Sequence, residues 1–183
     1  MDSFMDIRIQ PDAEMRQNRL LNTVYTKLHK ALFDLQARDI GVSFPEYRVI
    51  LGRVIRLHAT AARLEDFQQH NWLGGMAGYC QLSAIQPVPD DVKHRTVSRL
   101  QTKMSPAKMR RLLKRGSLKQ EEVKAYRDKM FTLGLDNPYF ELVSTSRGEK
   151  YRRYIQHGEI LTKPVSGEFD FFGLSKKATI PWF

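Results

Sequence analysis

A single cysteine, Cys80, stands among 183 residues. It excludes an internal disulfide and any zinc site built from cysteines, and it points to a reducing compartment, most simply the cytoplasm. No apolar run approaches the roughly 18 residues of a membrane span. The acidic start Met1-Asp2-Ser3-Phe4-Met5-Asp6 lacks the pattern of a signal peptide. His29, His58, His70, His94 and His157 show no metal-ligand spacing, and no acidic cluster points to a catalytic Mg²⁺ site, so no cofactor is expected. Gly74-Gly75-Met76-Ala77-Gly78 is not followed by the Lys-Ser/Thr of a phosphate loop and reads as a flexible turn.

The most telling absence is of acid. Lys93 to Gln120 runs 28 residues with ten Lys or Arg and no Asp or Glu. Residues 1–94 hold 11 basic and 11 acidic residues, whereas residues 95–183 hold 19 and 9, which is the entire net charge of +10. Charge concentrated in this way suits a polyanion, through counterion release and a focused field. The alternative is a solvated basic face.

Hydropathy gives the order of elements. Met5 to Gln10 alternates as a half-buried strand. Met15 to Gln36 reads as a helix, with Leu21, Tyr25, Leu28, Leu32 and Leu35 on one face. Strands are expected at Val42–Phe44, Val54–His58 and Tyr79–Gln86, the last with Cys80, Leu82 and Ala84 on one side. Thr60 is placed to cap a short helix carrying Ala61, Leu64 and Phe67. This βαββαβ order is that of a ferredoxin-like unit, the architecture of RNA-recognition modules. The expected division is a ferredoxin-like domain over 1–86, a linker over 87–96 and a basic α/β region over 97–183 whose charge suits nucleic acid.

In that second part, Val97–Thr102 reads as a strand and Ser105-Pro106 opens a helix that stops at Gly116. Ser117 and Gln120 form an expected capping box for another helix, to about Leu133. Phe140–Ser146 and Lys150–His157 read as a hairpin around Arg147-Gly148, and Gly167–Phe172 as a last strand. The class is α+β.

Several groups can carry chemistry. On the helix from Pro106, Met109, Leu112 and Leu113 share one face. Lys108, Arg111 and Arg115 lie opposite, flanked by Arg110 and Lys114, so one side can dock while the other meets phosphates. Arg99 and Gln101, two apart on a strand, point the same way and could read a base. A two-residue turn at Arg147-Gly148 would set Ser144 opposite Tyr151 and put Ser144, Ser146, Tyr151 and Arg153 on one face. A hydroxyl beside a ring and a guanidinium suits a splayed-out nucleotide; an ordinary polar sheet face is the alternative. His29 sits at the edge of the first helix's buried stripe, a position where histidine usually packs or faces solvent. Imidazole nonetheless has the unperturbed pKa that proton transfer near neutrality requires.

Taken in order, these stretches resemble one family. The landmarks are Asp6-Ile7-Arg8 with Pro11-Asp12, Lys27-Leu28-His29 with Ala31-Leu32, and Ile40-Gly41-Val42-Ser43-Phe44-Pro45. They continue with Val97-Ser98-Arg99, Gln101 and Lys103, the arginine helix, then Ser144, Ser146, Gly148 and Ile155 to Gly158. The series ends in Gly173-Leu174-Ser175-Lys176 and Pro181-Trp182-Phe183. The chain is similar, nearly end to end, to the CRISPR repeat-processing endoribonucleases of subtype I-F systems, the Csy group.

The resemblance implies metal-free cleavage of repeat RNA 3′ of a short hairpin, by attack of a ribose 2′-OH on the adjacent phosphate. It implies retention of the hairpin product, the crRNA, within a guided complex of other type I-F subunits. His29 matches the catalytic histidine and Ser144 the serine that holds the 2′-OH. Arg99 and Gln101 match the pair reading the foot of the stem, and Tyr151 an aromatic stacked at the cut. The basic helix matches one laid in the stem's major groove. There are two departures from the family pattern. Phe172 stands where a tyrosine is usual, and Leu112 and Gly116 stand where arginines can occur. A hairpin binder with impaired catalysis, or a basic DNA-binding regulator, are the other readings.

Overall fold

The alternating segment at the start forms β1 (Ser3–Ile9), with Met5, Ile7 and Ile9 buried and Arg8 exposed. The computed structural model describes residues 1–100, 106–132, 137–143, 148 and 150–183. Asp12 delays the first helix: its carboxylate accepts hydrogen bonds from the Glu14 and Met15 amides at 2.9 and 2.7 Å, which makes a turn where helix was expected. The helix α1 then runs Gln17–Asp34 and buries Leu20, Leu21, Val24, Tyr25, Leu28, Ala31 and Leu32. It ends where Gln36 turns left-handed, with φ of 50°.

β2 (Gly41–Ser43) and β3 (Val54–Ala59) follow, then α2 (Ala61–Gln69), whose Thr60 side chain accepts from the Arg63 amide as a cap. Leu64 and Phe67 are buried as expected, but Ala61 is exposed. The run expected as one strand over 79–86 is divided. A short 3₁₀ turn (Gly74–Tyr79) precedes β4 (Cys80–Leu82), and β5 (Gln86–Pro87) stands apart. Leu82 is exposed on β4, which is an outer strand of the sheet. The sheet order is β2-β3-β1-β4, antiparallel throughout, with β5 also beside β1. Met5, Ile7 and Ile9 share one core with Leu20, Val24 and Leu28 of α1 and with Leu64 and Phe67 of α2.

The segment expected as a linker over 87–96 contains β6 (Lys93–Arg95). It pairs with β10 (Ile180–Trp182), so it belongs to a small sheet instead. β7 (Val97–Leu100), β8 (Tyr139–Val143) and β9 (Lys150–His157) form a third sheet, in the order β7-β9-β8. Its inward Phe140 stacks on Tyr25 of α1 at 3.9 Å and 8°. The hairpin register differs from expectation by two residues. Leu142, not Ser144, lies opposite Tyr151, and Phe140 lies opposite Arg153.

Gly167–Phe172 is not a strand. Asp170 accepts from the Phe172 and Leu174 amides at 2.8 and 3.0 Å, and Gly173 adopts φ of 69°, which together make a tight turn.

Two compact units result, Met1–Arg99 with Asn137–Phe183, and Leu100–Asp136. This grouping differs from the 1–86, 87–96, 97–183 division, because strands from both ends of the chain share sheets. The second unit holds α3 (Pro106–Lys114), a 3₁₀ turn (Gln120–Glu122) and α4 (Val123–Thr132). α3 closes on Gly116 at φ of 70°, with the Gly116 amide on the Leu113 carbonyl and the Ser117 amide on the Leu112 carbonyl, a Schellman ending. The capping box expected at Ser117 and Gln120 falls two residues later: the Glu122 carboxylate accepts from the Lys119 amide at 2.8 Å. Among the described residues no helix is long and apolar enough to cross a membrane.

Candidate active site

His29 lies half-buried on α1, beside the stripe of Tyr25, Leu28 and Leu32. Its Nδ1 is 2.7 Å from the Phe171 carbonyl oxygen. A carbonyl can only accept, so Nδ1 carries the hydrogen and the neutral ring keeps its lone pair on Nε2. The imidazole also stacks on the Phe172 ring, with centroids 3.5 Å apart and planes 11° from parallel. One hydrogen bond and one ring face thus constrain its orientation. Burial lowers the His29 pKa; the Phe171 bond and Asp170 act against this, and Arg153 adds to it. The net shift is downward, so the ring is neutral at neutral pH and Nε2 can accept a proton.

The turn around Asp170 is what delivers these contacts. Besides the Asp170 bonds, the Tyr25 hydroxyl donates to the Phe172 carbonyl at 3.0 Å and the Val42 amide to the Gly173 carbonyl at 2.8 Å. A methyl on Gly173 would overlap Val42, so the close approach requires glycine. Burial pushes the Tyr25 phenol well up, which keeps its hydroxyl a donor.

Arg153 supplies positive charge. It is 6% exposed, its guanidinium carbon lies 3.5 Å from the Phe172 ring centroid, and its Nε has no hydrogen-bond partner among the described residues. Arg99 on β7 is exposed. Burial lowers the Arg99 pKa and repulsion from Arg153 adds to this, while Tyr151 and Asp170 oppose it. Arg153 thus acts electrostatically on both the His29 ring and Arg99. Tyr151 is half-buried against the core and within electrostatic range of Tyr25 and Arg99.

The fold therefore brings together His29, Arg99, Tyr151 and Phe172 of the expected residues. Gln101, Ser144 and Ser146 lie outside the described residues. In the other unit, Lys108, Arg110, Arg111 and Lys114 on α3 and Arg115 just after it are all exposed, Leu112 and Leu113 are half-buried, and Met109 is 6% exposed. Sequence reasoning missed the structural roles of Asp170 and the Phe171 carbonyl, although Asp170 with Gly173 three residues on is a recognisable turn signal. It set Arg153 with Tyr151 on a face suited to a nucleotide, but not against Phe172 and His29. His58 offers no alternative centre: it is fully buried, shares a 2.8 Å hydrogen bond with Ser43 Oγ, and burial holds its pKa down to about 3. Among the described residues, no three His, Cys, Asp or Glu side chains gather as a metal site.

Comparison with known proteins bears on this geometry. The family model described as CRISPR-associated protein (Cas_Csy4) matches residues 4–183. A CRISPR-associated endonuclease Cas6/Csy4 of Escherichia coli (strain UTI89 / UPEC) is 38% identical over 184 residues, covering all of both chains. The CRISPR-associated endonuclease Cas6/Csy4 of Pseudomonas aeruginosa (strain UCBPP-PA14) is 37% identical over 187 residues, again covering both chains fully. Among solved structures, a CRISPR endoribonuclease Cse3 bound to 19 nt RNA aligns at TM-score 0.40 and 12% identity, over 99% of this chain and 100% of that one. That last likeness is too distant to build on. On the full-length matches, this chain belongs to the Cas_Csy4 family of CRISPR-associated proteins.

Proposed function

We propose that this chain is a metal-independent endoribonuclease that recognises the CRISPR repeat stem-loop and cuts precursor RNA 3′ of the hairpin. It then stays on the mature crRNA as a cytoplasmic subunit of a type I-F guided complex. The observation that carries the reading is His29 itself: a neutral imidazole with Nδ1 engaged by the Phe171 carbonyl and its ring face on Phe172. Such a group can take a proton at Nε2 without a metal. Full-length relatives named as endonucleases add support.

In the proposed step the ribose 2′-OH gives its proton to His29 Nε2 as O2′ bonds to phosphorus. The P–O5′ bond breaks and the leaving 5′ oxygen is protonated from water. The products are a 2′,3′-cyclic phosphate and a 5′-OH. Arg153, whose Nε has no hydrogen-bond partner among the described residues, and Arg99 offset the phosphate charge that grows in the transition state. Ser144 holds the 2′-OH, Tyr151 stacks on the base before the cut with Ser146 beside it, and Gln101 joins Arg99 in reading the foot of the stem. Phe172 acts by holding the His29 ring. Lys108, Arg110, Arg111, Lys114 and Arg115 bind the stem; their exposure on one helix supports this. The β2-β3-β1-β4 order supports a ferredoxin-like reading of the N-terminal part.

The test is repeat RNA incubated with the protein, followed by analysis of the new ends. Cleavage leaving a cyclic phosphate, and none when the nucleotide before the cut is 2′-deoxy, is the expected result. A linear 3′-hydroxyl end, or cleavage of the deoxy substrate, overturns the mechanism.

A further inference from the structure

One turn beyond His29 on the same helix stands Phe33, 51% exposed although it is a phenylalanine. Its ring meets that of Phe171 edge to face, with centroids 5.2 Å apart and planes at 78°. The Arg38 guanidinium carbon lies 4.6 Å from the Phe171 ring centroid. Arg38 has a long contact of 3.8 Å with Glu168, whose side chain is 76% exposed, and such a pair contributes little and can be exchanged.

Phe171 links this cluster to the chemistry. Its carbonyl holds His29 Nδ1 while its ring packs on Phe33. The contacts form a series: Arg153 on Phe172, Phe172 on His29, His29 on Phe171, Phe171 on Phe33. Arg99 and Tyr151 belong electrostatically to the Arg153 end of it. Residues four apart on a helix face sit about 5–6 Å from each other, so the Phe33 shelf begins one side-chain width from the imidazole.

We propose that Phe33, Phe171 and Arg38 bind the single-stranded RNA on the 3′ side of the scissile phosphate, the strand that leaves. This inference rests on the cleavage reading above, in which Tyr151 and Arg153 take the nucleotide before the cut. The attacking and leaving oxygens lie roughly in line across phosphorus, so the chain continues away from that nucleotide. In the contact series this direction runs past His29 to the shelf. An exposed ring offers a stacking face to any base, and Arg38 offers a guanidinium to the next phosphate once it gives up Glu168. The shelf therefore serves the precursor and not the retained product.

Two repeat hairpins test this, both with a 2′-deoxy nucleotide before the cut so that neither reacts. One ends at the cut and the other continues several nucleotides 3′. The wild-type protein should bind the extended RNA about fivefold or more tightly than the product-length one, the least that one base stack provides. Phe33→Ala, at an exposed position, should abolish that difference and leave product-length binding unchanged. Phe33→Tyr should keep it. An abasic nucleotide just 3′ of the cut should cost the wild type what Phe33→Ala costs, with no further loss when the two are combined. Equal affinity of the wild type for both RNAs overturns the shelf while leaving the cleavage reading intact. A Phe33→Ala loss that is the same on both RNAs does likewise. Failure of the wild type to bind the product-length hairpin overturns both readings.

Discussion

Phe172→Leu isolates the ring contact that constrains His29. Leucine keeps an apolar side chain at a half-buried position. The imidazole, however, loses a stacked neighbour at 3.5 Å, and the Arg153 guanidinium loses the ring it contacts at the same distance. An aromatic pair contributes about 0.5–1.5 kcal/mol beyond its buried area, and a guanidinium on a ring about 0.5–2 kcal/mol. Stability should fall by roughly 1–3 kcal/mol, read as a lower urea midpoint at unchanged slope. The Phe171 carbonyl still holds Nδ1, so the tautomer survives and only one of two orientational constraints is lost. If the stacking energy is what keeps the ring aligned, single-turnover cleavage of repeat RNA at saturating protein should slow about two- to tenfold, since about 1.4 kcal/mol is a factor of ten. Binding of a 2′-deoxy hairpin should not change. Phe172→Tyr, which keeps both ring contacts and restores the hydroxyl usual in the family, should cleave at least as fast as the wild type. A Phe172→Leu protein that loses the expected stability yet cuts at the wild-type rate would refute the orienting role of the ring.

Replacing Arg111 and Arg115 by glutamine should weaken hairpin binding and reduce the salt slope by up to about two, at roughly 0.9 per phosphate released. An unchanged slope makes α3 a solvated face. Gly173→Ala should cost several kcal/mol or prevent folding, because a methyl there meets Val42 and the backbone is left-handed at φ of 69°; thermal unfolding checks it. Burial holds His58 at about 3 and His157 at about 4, below the ordinary 6.5 of the unfolded chain. Between those values the unfolded state binds more protons, so stability is full above about pH 6.5 and falls as pH drops towards 4. Urea midpoints across that range should decline, and His157→Phe should flatten the decline.

The parts of the fold legible in the sequence were those decided locally. The α1 stripe, the Thr60 cap and the left-handed Gly116 each follow from residues within a few positions of one another. What stayed hidden was decided at a distance. β6 pairs with β10, some 85 residues along the chain, and nothing in Lys93–Arg95 announces it. Tyr151 lies opposite Leu142, whereas a two-residue turn at Arg147-Gly148 would set it opposite Ser144; strand periodicity alone does not fix the register. Phe169 and Phe171 stand two apart with Asp170 between them, which imitates a strand, whereas the Asp170 side chain turns the chain there by accepting from the Phe172 and Leu174 amides. His29 was a candidate because of its place on α1 and the family resemblance. The carbonyl that fixes its tautomer comes from 142 residues away, which no helical periodicity could reveal.

The central claim is that His29 performs the proton transfer without a metal, and one experiment meets it directly. Single-turnover cleavage of the repeat hairpin is measured in EDTA for the wild type and for His29→Ala, beside equilibrium binding of the 2′-deoxy hairpin to both. The account predicts full wild-type cleavage in EDTA, a loss of about 10²–10⁴-fold in His29→Ala, and equal binding by the two proteins. Wild-type cleavage abolished by EDTA, or a His29→Ala protein that cuts at the wild-type rate, would contradict it.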